Sequence, residues 1–111
     1  MRLPSTIRFI DEDTKKAFYN LEQGDDTERT LFTAINNALD KLEEDAFCGT
    51  QIPKKLIPKT YSRNHKAKNL WKYDLPKGWR LIYSIIDDES VIVSVVLEWF
   101  DHKNYEKRFG Y

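Results

Sequence analysis

Two apolar runs late in the chain, separated by a short acidic turn, constrain the fold more than anything else in the sequence. Trp79-Arg80-Leu81-Ile82-Tyr83-Ser84-Ile85-Ile86 comes first, then Asp87-Asp88-Glu89, then Ser90 to Phe100, which contains Val-Ile-Val-Ser-Val-Val-Leu. β-Branched and aromatic residues at this density, broken only by polar turn residues, predict an antiparallel hairpin. In the first strand Ile82 and Ile86 oppose Trp79, Leu81, Tyr83 and Ile85. In the second, Ile92 and Val96 oppose Val91, Val93, Val95 and Leu97. Strands apolar on both faces belong in the middle of a sheet, covered by helices on at least one side.

The chain before the hairpin supplies those helices. Ile7 and Phe9 alternate with polar neighbours across Ser5 to Ile10, a short strand pattern. Asp11 or Asp13 then caps a helix in which Ala17, Phe18 and Leu21 share a face, ended by Gly24. A second helix starts at Asp25, Asp26 or Thr27. Its apolar positions Leu31, Ile35, Ala38, Leu39, Leu42 and Ala46 follow the 3.6-residue period, and Gly49 is placed to end it. Asp26 and Glu28 sit in its first turn, where the helix dipole favours acids. From Thr50 to Asn69 there is no periodicity, and Pro53 and Pro58 interrupt any helix, so the stretch reads as a long basic connection. Asn69 to Leu75 alternates as a strand, and Pro76-Lys77-Gly78 makes a tight turn. A polar and aromatic tail, Asp101 to Tyr111, closes the chain. The order strand, helix, helix, three antiparallel strands is α+β: a small antiparallel sheet packed on two N-terminal helices, in a single domain over residues 1–111.

A chain of 111 residues buries roughly two thirds of the surface its unfolded form exposes, enough for a single core. Cys48 is the only cysteine, which excludes an internal disulfide. The longest apolar run, Val91 to Leu97, is too short to span a bilayer. No apolar leader follows Met1, so the expectation is a soluble cytoplasmic protein without a membrane partner. Net charge is zero, but the charges are segregated. Residues 1–50 carry eleven acidic against six basic side chains, and residues 81–111 carry six against three. Residues 51–80 carry nine basic side chains against Asp74 alone. A polyanion responds to local potential, so this middle segment is a candidate phosphate-binding surface. Its lysines Lys54, Lys55, Lys66, Lys68, Lys72 and Lys77, with Lys103 from the tail, form the expected RNA-binding set. The competing view is a solvated basic loop with no partner.

Trp79-Arg80-Leu81-Ile82-Tyr83 followed by a second apolar strand and then His102-Lys103-Asn104-Tyr105 resembles the RelE/ParE toxin superfamily of type II toxin–antitoxin pairs. The aromatic-Arg-Leu-aliphatic-Tyr strand and the closing basic stretch ending in Tyr carry the resemblance, and the order of elements matches along almost the whole chain. It implies a ribosome-dependent endonuclease that cuts messenger RNA in the decoding site, working without metal or cofactor and neutralised by a cognate antitoxin protein. The expected assembly is a monomer or a toxin–antitoxin hetero-oligomer. In that chemistry a ribose 2′-hydroxyl attacks the adjacent phosphate, which requires a base, a cation at the developing phosphorane and an acid for the leaving oxygen. The resemblance casts Arg80 as the phosphate clamp, with His102 and Tyr105 as acid–base groups. Arginine offers a planar, permanently charged fork, and histidine titrates near neutrality. Tyrosine needs neighbouring cations to serve as a base.

Two features depart from that family's pattern. Asp74 stands where a second strand lysine is frequent, and Trp99, Phe100 and Asp101 replace arginines ahead of the closing Tyr. Three readings therefore stand: the endonuclease, a ParE-like DNA gyrase inhibitor that acts by binding, and a non-catalytic RNA-binding or inactive relative. Residue by residue, Arg80 has the alternative of a plain sheet-surface ion pair with Asp74 or Glu98, and Tyr105 that of a tail aromatic docked on the core. His65 reads as incidental, and Trp71, Trp79 and Trp99 read as core residues. His65, His102 and Cys48 have no recognisable metal-ligand spacing.

Overall fold

The hairpin is the centre of a five-stranded sheet. The computed structural model describes residues 2–64 and 67–110, so the expectations for His65 and Lys66 lie outside the described residues. The strands are β1 (Thr6–Phe9), β2 (Thr50–Gln51), β3 (Trp71–Asp74), β4 (Arg80–Asp88) and β5 (Val91–Phe100), in spatial order β1-β5-β4-β3-β2. The pairs β2–β3, β3–β4 and β4–β5 are antiparallel, whereas β1 joins β5 in parallel. The fold is α+β as expected, with a mixed sheet. Two helices carry the chain from β1 to the far side of the sheet before it returns, and that crossover length permits a parallel neighbour.

Helix α1 (Glu12–Asn20) is capped by Asp11, whose carboxylate accepts from Thr14 N at 2.7 Å. Phe18 and Leu21 turn inward, but Ala17 is exposed. Helix α2 (Asp26–Glu44) opens on a capping box in which Asp25 accepts from Glu28 N and Glu28 accepts from Asp25 N. Its buried stripe is Leu31, Ile35, Ala38, Leu39 and Leu42. Ile35 and Leu42 are fully buried, and each contributes about 1.5–3 kcal/mol, against ~1 kcal/mol for a cap. Packing, more than capping, holds α2 in place.

Gly49 does not end this helix. Asp45 does, in extended conformation, because its carboxylate accepts from Leu3 N at 3.0 Å and Phe47 N at 2.9 Å. Those two bonds also hold its pKa below the ordinary value. Gly49 has a different role: a Cβ there would come within 2.5 Å of Lys72 O and 2.6 Å of the Tyr83 hydroxyl. Ala46, expected on α2, is buried in the short 3₁₀ turn that follows it.

The basic connection is ordered into β2, a 3₁₀ turn at Lys54–Leu56 and helix α3 (Lys59–Asn64). Pro58 precedes α3 and does not break it, because proline at a helix start sacrifices no intrahelical bond. The tail is also helical: α4 (His102–Phe109) begins at Asp101, which accepts from Asn104 N at 2.8 Å, and ends on left-handed Gly110. These two elements cover the second face of the sheet. Buried Tyr61, Tyr105 and Phe109 pack there with Ile82, Val93, Val95 and Leu97, while α1 and α2 pack with Leu81, Tyr83 and Val96 on the first face. All three tryptophans lie against the first core.

A β-bulge alters the alternation in β5. Ile82 pairs with Glu98 but Tyr83 pairs with Val96, leaving Leu97 unmatched. Leu97 packs on the second face; strict alternation would then put Trp99 beside it and Glu98 opposite. The extra residue reverses this, so Trp99 joins the first core and Phe100 the second.

Burial raises the hydroxyl pKa of Tyr61 and of Tyr83 above the ordinary value of 10.0, with Glu98 adding to the rise at Tyr61 and Cys48 at Tyr83. The unfolded chain releases these protons near pH 10 while the folded chain retains them. Stability is therefore full below that pH and falls above it, by up to about 1.4 kcal/mol per pH unit per tyrosine. Urea midpoints at about pH 8 and about pH 11 measure the fall. The Tyr61→Phe/Tyr83→Phe double variant should lose less over that interval than wild type.

Candidate functional site

Three cationic or aromatic side chains predicted from the sequence meet at one end of the sheet. Register brings two of them together: Lys72 sits opposite Ile82 and Asp74 opposite Arg80, so Lys72, Asp74, Arg80 and Ile82 share the second face. Arg80 also pairs across to Phe100, just before Asp101 caps α4. Helix α4 then places Tyr105 beneath both cations. Lys72 Nζ and the Arg80 guanidinium carbon each lie 5.6 Å from the centre of its ring. Two positive charges over the negative face of one buried aromatic is a favourable arrangement, and the ring fixes the spacing between them.

Asp74 completes the cluster. Its Oδ1 is 2.9 Å from Arg80 Nε and 3.7 Å from Lys72 Nζ, the former an ion pair without hydrogen-bond alignment. The structural alternative for Arg80 is thus present with Asp74; Glu98 pairs with Arg108 at 3.4 Å. Asp74 is 62% exposed whereas Arg80 is 19% exposed. A carboxylate this open to water can swing aside at small cost.

His102 occupies the first turn of α4 and is exposed, its Nε2 2.7 Å from Glu106 Oε1. It backs onto the turn that leads into Arg80: a Cβ built on left-handed Gly78 would stand 3.2 Å from His102 Cβ. That position needs glycine on two counts, positive φ and lack of space. Tyr105 differs from the other two predicted groups. It is 3% exposed, packed 4.7 Å from Phe109 in the second core.

Only some of the predicted RNA-binding lysines belong to the elements around Arg80. Lys72, Lys77 and Lys103 belong to the elements around Arg80; Lys77, in left-handed conformation, precedes it by three residues, and Lys103 follows His102 on α4. Lys68 does not belong there, since it borders a groove with Ser84, Ile85 and Ile86, about 17 Å along β4 from Arg80 at the usual strand rise. Lys54 and Lys55 form an exposed 3₁₀ turn between β2 and α3. Lys66 lies outside the described residues.

Two cations missed by sequence reasoning join the Arg80 end. Lys107 and Arg108 line an open groove of about 620 Å³ with Phe100, Asn104, Pro58 and Thr60. The signal was available: an Asp101 cap followed by Lys103, Lys107 and Arg108 on helical spacing. Averaging charge over residues 81–111 concealed it. Among the described residues no group of three or more His, Cys, Asp or Glu is arranged to hold a metal ion, and no helix is long and apolar enough to cross a membrane. Comparison of the chain with protein-family models, with curated proteins and with solved structures returns no match.

Proposed function

We propose that the protein is a RelE-like toxin of a type II toxin–antitoxin pair, which cleaves messenger RNA on the ribosome by 2′-hydroxyl attack on the neighbouring phosphate. The observation that carries this reading is the pair of cations, Arg80 and Lys72, each held 5.6 Å from the centre of the Tyr105 ring. A scissile phosphate that displaces Asp74 meets both charges at once. Arg80 supplies a forked donor to two phosphate oxygens, and Lys72 adds a point charge, together offsetting the charge that builds on the phosphorane.

His102, open to solvent beside this end of the sheet, takes the proton of the attacking 2′-hydroxyl, the leaving 5′-oxygen takes one from water as its bond to phosphorus breaks, and Glu106 orients the imidazole through the Nε2 contact. Tyr105 acts here as a positioning residue, because its ring sets where the two cations sit. The antitoxin is the protein partner in this reading, and the enzyme needs no cofactor.

A translation reaction with purified protein and a defined message, mapped by primer extension, tests the proposal. Wild type is expected to cut only when ribosomes engage the message, and His102→Ala to cut about 10²-fold more slowly. Absence of cleavage together with inhibition of DNA supercoiling by gyrase would move the function to the ParE-like reading. RNA binding without cleavage would leave an inactive relative.

A further inference from the structure

Asp74 is an anion already seated on the two cations to which the proposed function assigns a phosphate. It ends β3 directly across from Arg80, with Oδ1 2.9 Å from Arg80 Nε and 3.7 Å from Lys72 Nζ. The sheet pins its backbone, since the next amide, Leu75 N, donates to Trp79 O at 2.8 Å. Movement of the carboxylate is therefore a matter of side-chain rotamers, which exchange in picoseconds to nanoseconds at exposed residues.

The cations are the sheltered members of the cluster and the carboxylate is the open one. Lys72 and Arg80 are 25% and 19% exposed, whereas Asp74 is 62% exposed. An anion arriving from solvent has to compete with Asp74 for both of them. With Asp74 in place, the two positive charges and one negative charge leave a single net positive charge.

The seat is held loosely. Arg80 Nε is buried and makes no aligned hydrogen bond to the carboxylate, while Nη1 donates to Trp79 O at 3.2 Å. A phosphate that meets the guanidinium in its plane gains charge-assisted bonds that Asp74 forgoes. An exposed ion pair shifts an equilibrium by up to about fivefold. That is enough to disfavour a weakly held anion, and too little to stop one that other contacts hold in place.

We propose that Asp74 is a resident competitor for phosphate, which disfavours free RNA at the Arg80–Lys72 site until other contacts deliver it. This role rests on the phosphate reading of that site, and it gives the proposed ribosome dependence a source within the chain. A free oligonucleotide must displace the carboxylate unaided. A message anchored on the ribosome presents its phosphate at high effective concentration, and an ion pair of this strength then ceases to decide occupancy.

Binding of a fluorescent 2′-O-methyl trinucleotide, which cannot undergo the attack, to the full chain at fixed salt tests this role. Asp74→Asn keeps the shape and removes the charge, and is expected to bind about three- to tenfold more tightly than wild type. Asp88→Asn removes the same charge from a carboxylate paired with Arg8 at the far end of β4. It lies beyond a screening length from Arg80 and should bind within about twofold of wild type. In an Arg80→Ala background the gain from Asp74→Asn should shrink, because one of the two contested cations is gone. If Asp74→Asn binds within about twofold of wild type while Arg80→Ala weakens binding, the competitor role is overturned and the phosphate clamp stands. Equal gains from Asp74→Asn and Asp88→Asn would reduce the effect to overall charge and overturn it too. Should Arg80→Ala bind as wild type does, the phosphate site itself is lost, and the competitor role with it.

Discussion

Arg80→Ala is expected to slow RNA cleavage by about 10²–10³-fold, the loss that follows removal of one preorganised donor to a developing oxyanion. The guanidinium sits at the sheet end, held by the Tyr105 ring at 5.6 Å and by Asp74 at 2.9 Å. Both partners remain when the side chain is cut back, and Lys72 still lies over the ring. Asp74 is mostly exposed, so loss of its ion pair costs little stability. Activity and folding therefore separate at this position. Arg80→Lys retains the charge but not the fork, and an intermediate rate is expected. Single-turnover cleavage on stalled ribosomes gives the comparison. A rate for Arg80→Ala within about twofold of wild type would remove Arg80 from the site.

The second large effect belongs to Tyr105. Tyr105→Ala should cost about 3–5 kcal/mol of stability, in the range for truncating a buried aromatic. It empties the second core between Phe109 and the sheet and removes the surface on which Lys72 and Arg80 rest. Tyr105→Phe keeps the ring and deletes only the hydroxyl. If Tyr105 positions the cations, the phenylalanine variant retains cleavage within about threefold of wild type while the alanine variant loses it. Urea unfolding and cleavage rates on the same two proteins decide the matter. A folded Tyr105→Phe that no longer cuts RNA would make the hydroxyl a participant in the chemistry.

Much of this arrangement was readable in the residues. The α2 stripe from Leu31 to Leu42 has a strict helical period and an Asp25–Glu28 capping box, both of which are local in sequence. The β4–β5 hairpin announced itself by composition. Arg80 stands on the face of Ile82 and Ser84, opposite Trp79 and Leu81, as simple alternation along β4 requires, because the bulge falls in β5 and leaves β4 uninterrupted. What escaped were features carried by a few residues each. Helices α3 and α4 are six and eight residues long, too short for a period to emerge from mixed sequence. Gly49 looked like a helix stop, whereas its lack of a side chain serves a contact with Lys72 and Tyr83, two residues far along the chain.

Local sequence, then, determined the identity of the main elements, the α+β class and the face on which Arg80 stands, since caps, periods and turn residues act over a few neighbours. Tertiary structure alone decided three things. It set β1 in parallel beside β5 at the edge of the sheet, because strand order depends on crossovers and not on any strand's own residues. It inserted the bulge at Leu97 that sends Trp99 to one core and Phe100 to the other. And it brought Tyr105, more than twenty residues from Arg80 in the chain, under two cations on adjacent strands. The last of these is a contact between distant segments, and no spacing within the sequence encodes it.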